Sequence, residues 1–369
     1  MLVHPRRRPP PGAVVEVVDP RGGFVGRGLY HPDRTIAVRV LTRDPAEAVD
    51  AELVRRRLER AKALRTELLA LDRDTDAYRV VHAEGDGLSG LVIDRYADVC
   101  LVEPVAAGWR DLGRAVAESL EALYPGSRVA FRPDKKLEQQ EGVSFAALVR
   151  DFPAGPGATI TEHGLRMQVD FATGHKTGYF TDQRDNRQRV ALLAKGRTVL
   201  DLCCYTGGFA IACARAGATA VTAVDLDEKA LAVAARNART NEVHVDFLHR
   251  NAFDFLRESV AAGKTWDVVV VDPAKLAAVK DEISRALKTY DDLNALALRV
   301  TASGGVAASF SCSGLVSESK FLSVLASAAY GAGVEHQAFH VGGAGGDHPV
   351  LAEFPEGRYL KAVFARVFR

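Results

Sequence analysis

"TVLDLCCYTGGFAIACARAGATAVTAVD", residues 198–225, decides how the larger part of this chain folds. A short apolar run ends in Asp201, a glycine pair turns the chain at Gly207–Gly208, and an alanine-rich stretch leads to a second apolar run ending in Asp225. Strand, turn, helix and strand in that order make a βαβ unit, whose two strands lie parallel. The rhythm continues downstream. "VDFLHR" (245–250), "WDVVVVD" (266–272) and "GVAASFS" (305–311) read as strands. Helical patterns such as "DEKALAVAARNARTN" (227–241) and "SKFLSVLASAAY" (319–330) separate or follow them. Short apolar strands alternating with helices predict a parallel sheet covered on both faces. "VEHQAFHVGG" (334–343) and "RYLKAVFARVF" (358–368) have no helical pattern between them and predict an antiparallel hairpin at the sheet edge.

Upstream the pattern differs. "AVVEVVDPRGGFVGRGLYHPDRTIAVRVLTRD" (13–44) holds short alternating strands broken by Pro-Arg-Gly-Gly and His-Pro-Asp turns, a small β domain. "DAELVRRRLERAKALRTELLAL" (50–71) has leucines near helical spacing, with Arg55, Arg56, Arg57, Arg60, Lys62 and Arg65 crowded around them. Two readings stand for these cations: a solvated polar face, or a phosphate-facing stripe to which Arg6, Arg7 and Arg8 add. Residues 78 to about 155 form a second small α/β unit, alternating strand-like runs with tight turns and a helix, "WRDLGRAVAESLEALY" (109–124). The Gly/Pro-rich "DFPAGPGA" (151–158) marks the next boundary. The division is therefore 1–72, 73–155 and 156–369, in keeping with a chain of 369 residues.

Bulk properties narrow the function classes. Net charge is +1, so no global basic field advertises nucleic acid, although local patches can carry such binding. The five cysteines have no framework spacing and form no CxxC pair, which argues against a disulfide scaffold or a zinc site and fits reduced thiols in the cytoplasm. "MLVHPRRRPPPG" lacks the apolar core of a signal peptide. No apolar run approaches the roughly 20 residues of a membrane helix.

In an open α/β sheet the ligand sits beyond the carboxyl ends of the strands. Here those ends carry Asp201, Asp225, Asn251, Asp272 and Cys312. Each alone has a structural explanation, such as a cap or a turn; five in succession point to a site. The first turn is not G-x-G-x-x-G, which disfavours a pyrophosphate and hence a dinucleotide. An adenosine ligand without pyrophosphate fits better: Asp225 is placed for ribose hydroxyls, Asn251 for an adenine edge, and Asp201 for a ligand amino group.

These residues carry a resemblance. The C-terminal domain resembles the class I S-adenosylmethionine-dependent methyltransferases, and the whole chain resembles the bacterial 23S ribosomal RNA cytosine-C5 methyltransferase family with an N-terminal PUA domain. The matching segments are "GDGLSGLVIDRY" (85–96), "GHKTGYFTDQRDNR" (174–187), "VLDLCCYTGGFAI" (199–211), "DPAKL" (272–276), "SFSCSGL" (309–315) and "DHPVLAEFPEGRYLK" (347–361). The resemblance implies a PUA-like RNA-binding barrel, a central α/β domain, and a Rossmann-like catalytic domain with a seven-stranded, mostly parallel sheet. It also implies an S-adenosylmethionine site formed by Asp201, Tyr205, Thr206, Gly207, Phe209, Asp225, Leu226, Asn251, Ala252 and Asp272. Gln183, Arg184 and Arg187 would lie near the methionine carboxylate. Arg55, Arg56, Arg60 and Lys176 would contact RNA. No metal is implied. The partner would be ribosomal RNA presenting an unpaired or flipped cytosine, with no membrane association; a homodimer is an admissible assembly. The family usually has Asp-Pro-Pro where this chain has Asp-Pro-Ala (272–274), which loosens that loop.

Cytosine C5 is a poor nucleophile and needs a thiolate added at C6. Cys312, leaving the fifth strand, meets that demand, with Asp272 placed to hydrogen-bond the pyrimidine and Lys275 to lower the thiol pKa or touch a phosphate. Cys203 and Cys204 lie on the cofactor turn, while Cys213 and Cys100 read as small core residues. Amino-group methylation is disfavoured, because no aromatic residue follows the Asp-Pro. Other readings are a methyltransferase acting on another RNA base or a non-RNA substrate, an RNA-binding assembly factor that retains a cofactor pocket, and a nicotinamide-dependent dehydrogenase, which the turn at 203–209 argues against.

Overall fold

The computed structural model describes residues 8–172 and 177–369. The chain forms two compact units: Met1–Gly164 with Gln168–Thr181 and Gly346–Gly357, and Leu165–Met167 with Asp182–Gly345 and Arg358–Arg369.

The first unit opens with a three-stranded antiparallel sheet of β1 (Val14–Val18), β2 (Phe24–Tyr30) and β3 (Val38–Thr42). Helix α1 (Ala51–Ala63) follows, started by Asp50, whose carboxylate accepts from the Leu53 N–H at 3.0 Å. A four-stranded sheet comes next, in the order β4 (Ala77–His82), β5 (Leu91–Tyr96), β6 (Val99–Pro104) and β7 (Arg128–Phe131). β7 runs parallel to β6 because α2 (Trp109–Leu123) carries the chain across. Two short helices, α3 (Lys135–Glu141) and α4 (Ala146–Asp151), precede a two-stranded ribbon of β8 (Gly157–Glu162) and β9 (Leu165–Asp170). Leu29 and Leu41 of the first sheet, Leu53 and Leu58 of α1, and Ile93 and Trp109 of the second segment share one apolar core. Residues 1–72 and 73–155, separable in sequence, are therefore packed as one body across their described residues.

The cations of α1 divide by burial. Arg55 bridges Glu52 and Glu59, and Arg56 bridges Glu47, all at the surface. Arg57 and Arg60 donate to the carbonyls of Gly87 and Asp86, and Lys62 to that of Leu123. Arg65, in a π-helical turn at Leu64–Leu68, is wholly buried. It forms a bidentate pair with Asp86 and donates to the carbonyls of Ala61, Arg79 and Asp347. Arg55 is thus paired within its own helix, while Arg57, Arg60, Lys62 and Arg65 reach partners from distant positions.

The second unit is an α/β sandwich. After α5 (Arg184–Ala194) come β10 (Thr198–Leu202), α6 (Gly208–Arg215), β11 (Ala220–Asp225), α7 (Glu228–Thr240), β12 (Asp246–His249), α8 (Ala252–Ala261) and β13 (Trp266–Val271). Then follow α9 (Ile283–Val300), β14 (Thr301–Ser311), α10 (Glu318–Ala332), β15 (Glu335–Gly342) and β16 (Lys361–Phe368). The sheet has seven strands in the order β12-β11-β10-β13-β14-β16-β15. The first five are parallel, and β16 is antiparallel to both β14 and β15. This is the expected Rossmann-like sheet with its C-terminal antiparallel hairpin, and β16 lies inside the hairpin's edge strand. Val190, Phe209 and Leu231 cover one face, and Phe255, Leu256, Leu293 and Ala297 the other. The strand order reverses between β10 and β13, so the crevice opens above Asp201, Asp225 and Asp272.

Candidate active site

The turn after β10 is built under strain. Cys203 and Tyr205 hold φ of +62° and +49°, in the left-handed region that L side chains avoid at roughly 1–2 kcal/mol each. Local hydrogen bonds hold the turn: Cys203 N–H donates to the Val224 carbonyl at 2.8 Å, and Tyr205 N–H to Asp225 Oδ2 at 2.8 Å. Gly207 (φ +83°) follows, where a Cβ would meet Ile211, Ala234 and Phe247 at 3.1–3.2 Å. At Gly208 a Cβ would lie 2.9 Å from Arg187 Cδ, so the missing side chain admits the arginine.

Asp201 is fully buried. Its Oδ2 accepts from the Ala210 N–H at 3.0 Å, while its Oδ1 has no hydrogen-bond partner among the described residues. Burial, then the charges of Asp272 and Asp225, push its pKa well above the carboxylate range. Three carboxylates converging here, one with an orphaned oxygen, make a seat for a cation. Asp225 is already engaged by Tyr205 N–H and by Asp227 N–H, which fixes its orientation. Asp272 accepts from Gln183 Nε2 at 3.0 Å, and Gln183 Oε1 accepts from Asn186 Nδ2 at 2.7 Å. Arg184 and Arg187 are both buried rather than surface residues of α5, and Arg184 reaches Asp185 at 3.0 Å.

Other candidate positions differ in how they face the crevice. Asn251 caps α8, its Oδ1 accepting from Phe253 N–H at 2.9 Å, and Ala252 begins that helix. Leu226 is exposed, and Thr206 is buried with its carbonyl accepting from Asn237 Nδ2 at 3.3 Å. Phe209 is a core residue: its ring packs on Phe310 at 5.3 Å, because the first turn of α6 sends it under the sheet. That removes its side chain from the crevice. Lys176 lies outside the described residues.

Cys312 is half-buried and follows β14 directly. The other thiols are held protonated. Burial, then Asp225, Asp272 and Asp201, push Cys203 up to about 12. Burial likewise pushes Cys100 up to about 12 and raises Cys204 and Cys213. The residue after Cys312 ties two loops together: Ser313 Oγ accepts from the N–H groups of Leu276 and Ala277, each at 3.1 Å, and meets Tyr290 Oη at 3.0 Å. The Asp272 loop is thereby clamped to the Cys312 loop, while Ala274 and Lys275 are exposed. Lys361, at the start of β16, is buried with its ammonium donating to the carbonyls of Ser313 (2.6 Å) and Tyr359 (2.7 Å). Sequence reading missed Ser313, Tyr290, Asn186, Asn237 and Lys361. Only the segment at 347–361 had flagged Lys361's neighbourhood.

The described residues of the crevice offer carboxylates to a cation, which suits an aminoacyl sulfonium better than a dinucleotide. Comparison with known proteins agrees. The S-adenosylmethionine-dependent methyltransferase family matches residues 148–294, and a PUA-like domain matches residues 2–43. A protein described as a methyltransferase complexed with SAH is 21% identical with a TM-score of 0.81, covering 96% of this chain and 92% of its own. A protein described as a SAM-dependent methyltransferase from Streptococcus mutans is 19% identical with a TM-score of 0.79, covering 96% and 91%. Fold and site thus define an S-adenosylmethionine-dependent methyltransferase with an N-terminal PUA-like domain.

Two curated relatives narrow the class. Ribosomal RNA large subunit methyltransferase I of Shewanella denitrificans is 39% identical, covering 98% of this chain and 92% of the relative. The protein of that name from Klebsiella pneumoniae is 36% identical, covering 96% and 90%. The chain belongs to the ribosomal RNA large subunit methyltransferase I family. No helix among the described residues is long and apolar enough to cross a membrane.

Proposed function

We propose that this enzyme forms 5-methylcytosine in 23S ribosomal RNA, in the cytoplasm, through a covalent bond between Cys312 and cytosine C6. The observation that carries the reading is the half-buried Cys312, clamped through Ser313 to the loop that bears Asp272. The near-full-length likeness to ribosomal RNA methyltransferases supports the substrate class. S-adenosylmethionine, when bound, supplies the electrophilic methyl group. Asp201 would hold the ammonium end of its methionine part, Asp225 the ribose, and the Asn251–Ala252 turn and Leu226 the adenine. Tyr205, Thr206 and Gly207 shape the loop around it, and Arg184 and Arg187 neutralise its carboxylate beside Gln183.

Cys312 adds as thiolate to C6, and the electron density passed to C5 makes that carbon nucleophilic. Asp272, steadied by Gln183, hydrogen-bonds the pyrimidine and stabilises the adduct. Once C5 carries the methyl group, a base takes its original proton, the C5–C6 double bond re-forms as the C6–S bond breaks, and Cys312 departs as thiolate. The thiol can reach only an unpaired or extruded base.

Residues 1–72 form the RNA-gripping module, 73–155 a central support and 156–369 the catalytic domain. Arg55 and Arg56 remain exposed, and surface ion pairs of this kind are weak enough to be exchanged for phosphate. Arg60 and Lys176 complete that set; Lys275 contacts the RNA strand at the mouth of the site.

Deleting the gene in its host and comparing digested ribosomal RNA by mass spectrometry tests the reading. Loss of a single 5-methylcytosine, restored by the parent gene and not by Cys312→Ala, is the expected result. An unchanged modification profile, or full restoration by Cys312→Ala, overturns it.

A further inference from the structure

The Asp272 loop and the cofactor crevice leave one chemically costly group unexplained: the buried ammonium of Lys361. The residue is 2% exposed and opens β16, directly opposite Ser311 in the antiparallel register with β14. Its ammonium reaches past Cys312 to the Ser313 carbonyl at 2.6 Å and is anchored at the Tyr359 carbonyl at 2.7 Å. The backbone around Cys312 is therefore bracketed by Lys361 on both sides, by strand pairing before it and by a side-chain hydrogen bond after it. An ammonium has three N–H donors, and the third has no partner among the described residues.

A clip between two loops needs no charge, since a serine or a water would satisfy the same carbonyls. Burying a cation for that purpose alone is expensive. The charged groups facing it come from each neighbouring element: Cys312 after β14, Glu318 on α10 and Lys275 after β13. Tyr290 on α9 adds a hydroxyl at Ser313.

We propose that Lys361 is the positioning residue of the Cys312 nucleophile, fixing the loop geometry and supplying the fixed positive charge that holds the thiol as thiolate. The electrostatics agree. Burial lowers the Lys361 pKa to about 8, the Cys312 and Glu318 charges raise it, and the Lys275 charge lowers it. A lysine poised there is cationic at neutral pH. It favours the thiolate below about pH 8 and loses that influence as pH rises through its own pKa. This inference rests on Cys312 as the nucleophile proposed above, but its test reads the thiol rather than methyl transfer.

The rate of iodoacetamide alkylation of Cys312 in the full-length protein, followed by peptide mass spectrometry from pH 5.5 to 9.5, measures the effect, with Cys312→Ser as the blank. Lys361→Met is expected to slow alkylation at pH 7 about tenfold and to move its midpoint up by about one pH unit, equal to about 1.4 kcal/mol. Lys361→Arg, which keeps the charge, is expected to stay within about threefold of the parent. Parent-like alkylation of a folded Lys361→Met overturns the proposal. The reciprocal measurement needs no change at Lys361: its ammonium, titrated by NMR, is expected to have a lower pKa in Cys312→Ser than in the parent. An unchanged value overturns the proposal even where Lys361→Met does not fold. Methylation by Cys312→Ala would instead sink the nucleophile reading, so the two failures are distinct.

Discussion

Replacing Asp201 by asparagine separates what stabilises this fold from what binds its cofactor. In the parent the carboxylate is fully buried, has one backbone donor at Ala210, leaves Oδ1 without a partner among the described residues, and faces Asp272 and Asp225. In the variant the amide oxygen can keep the Ala210 bond, and the position no longer titrates. At neutral pH, above the unfolded pKa, the parent must keep that carboxyl protonated or bury its charge, whereas asparagine carries neither cost, so the cofactor-free Asp201→Asn protein is expected to be at least as stable as the parent. The pH dependence carries the same sign. Because the folded pKa is raised above the unfolded one, the parent's contribution is fully present below about pH 3.9 and is lost as pH rises through the folded value. The variant lacks that downward slope. Binding moves the other way. A hydrogen bond to a charged group is worth about 1.5–3 kcal/mol, so the S-adenosylmethionine Kd should weaken by about 10–150-fold. Urea denaturation of the cofactor-free proteins across pH, with calorimetric titration of the cofactor, measures both. A variant that binds the cofactor like the parent, or is less stable without it by more than about 1 kcal/mol, refutes the assignment of Asp201 as a strained cation seat.

Arg65→Met, which strands the buried Asp86, should cost about 3–5 kcal/mol in urea denaturation, whereas Arg55→Ala on α1 should leave the midpoint close to the parent's. Equal costs would show that burial is not what separates them. Ser313→Ala removes the shared acceptor of two N–H groups and should cost about 2–4 kcal/mol, with kcat falling more than the cofactor Kd changes. An unchanged kcat would show that the clamp does not position the Cys312 loop. Gly207→Ala forces a Cβ into a left-handed, crowded position and should destabilise by about 1–2 kcal/mol, read as a lower Tm.

The parallel core was legible because each strand is a short apolar run closed by a polar residue, and each crossover a periodic helix. The carboxylates of the crevice followed, since strand ends converge wherever the order reverses. What stayed hidden depends on partners far apart in sequence. The fate of the α1 arginines hinged on Glu47, Asp86 and the Asp347 carbonyl, which no local pattern links to them. Phe209 sits two residues after Gly207 yet faces the core, because helix phase and not proximity in sequence sets its direction. Ser313 and Lys361 acquire their roles only through the loop at 276–277 and the pairing of β16 with β14.

The insertion of β16 between β14 and β15 has a consequence for synthesis. β14 is translated well before the strand that covers its free edge, and until then it presents Val306, Ala308 and Phe310 along an open hydrogen-bonding edge. Such an edge invites pairing with another nascent chain. The Cys312 loop is likewise unfinished until Lys361 arrives to hold the Ser313 carbonyl. Closing the sheet and fixing the Cys312 loop are thus one late event, and a chain stopped before β16 would keep an open edge and a loose loop.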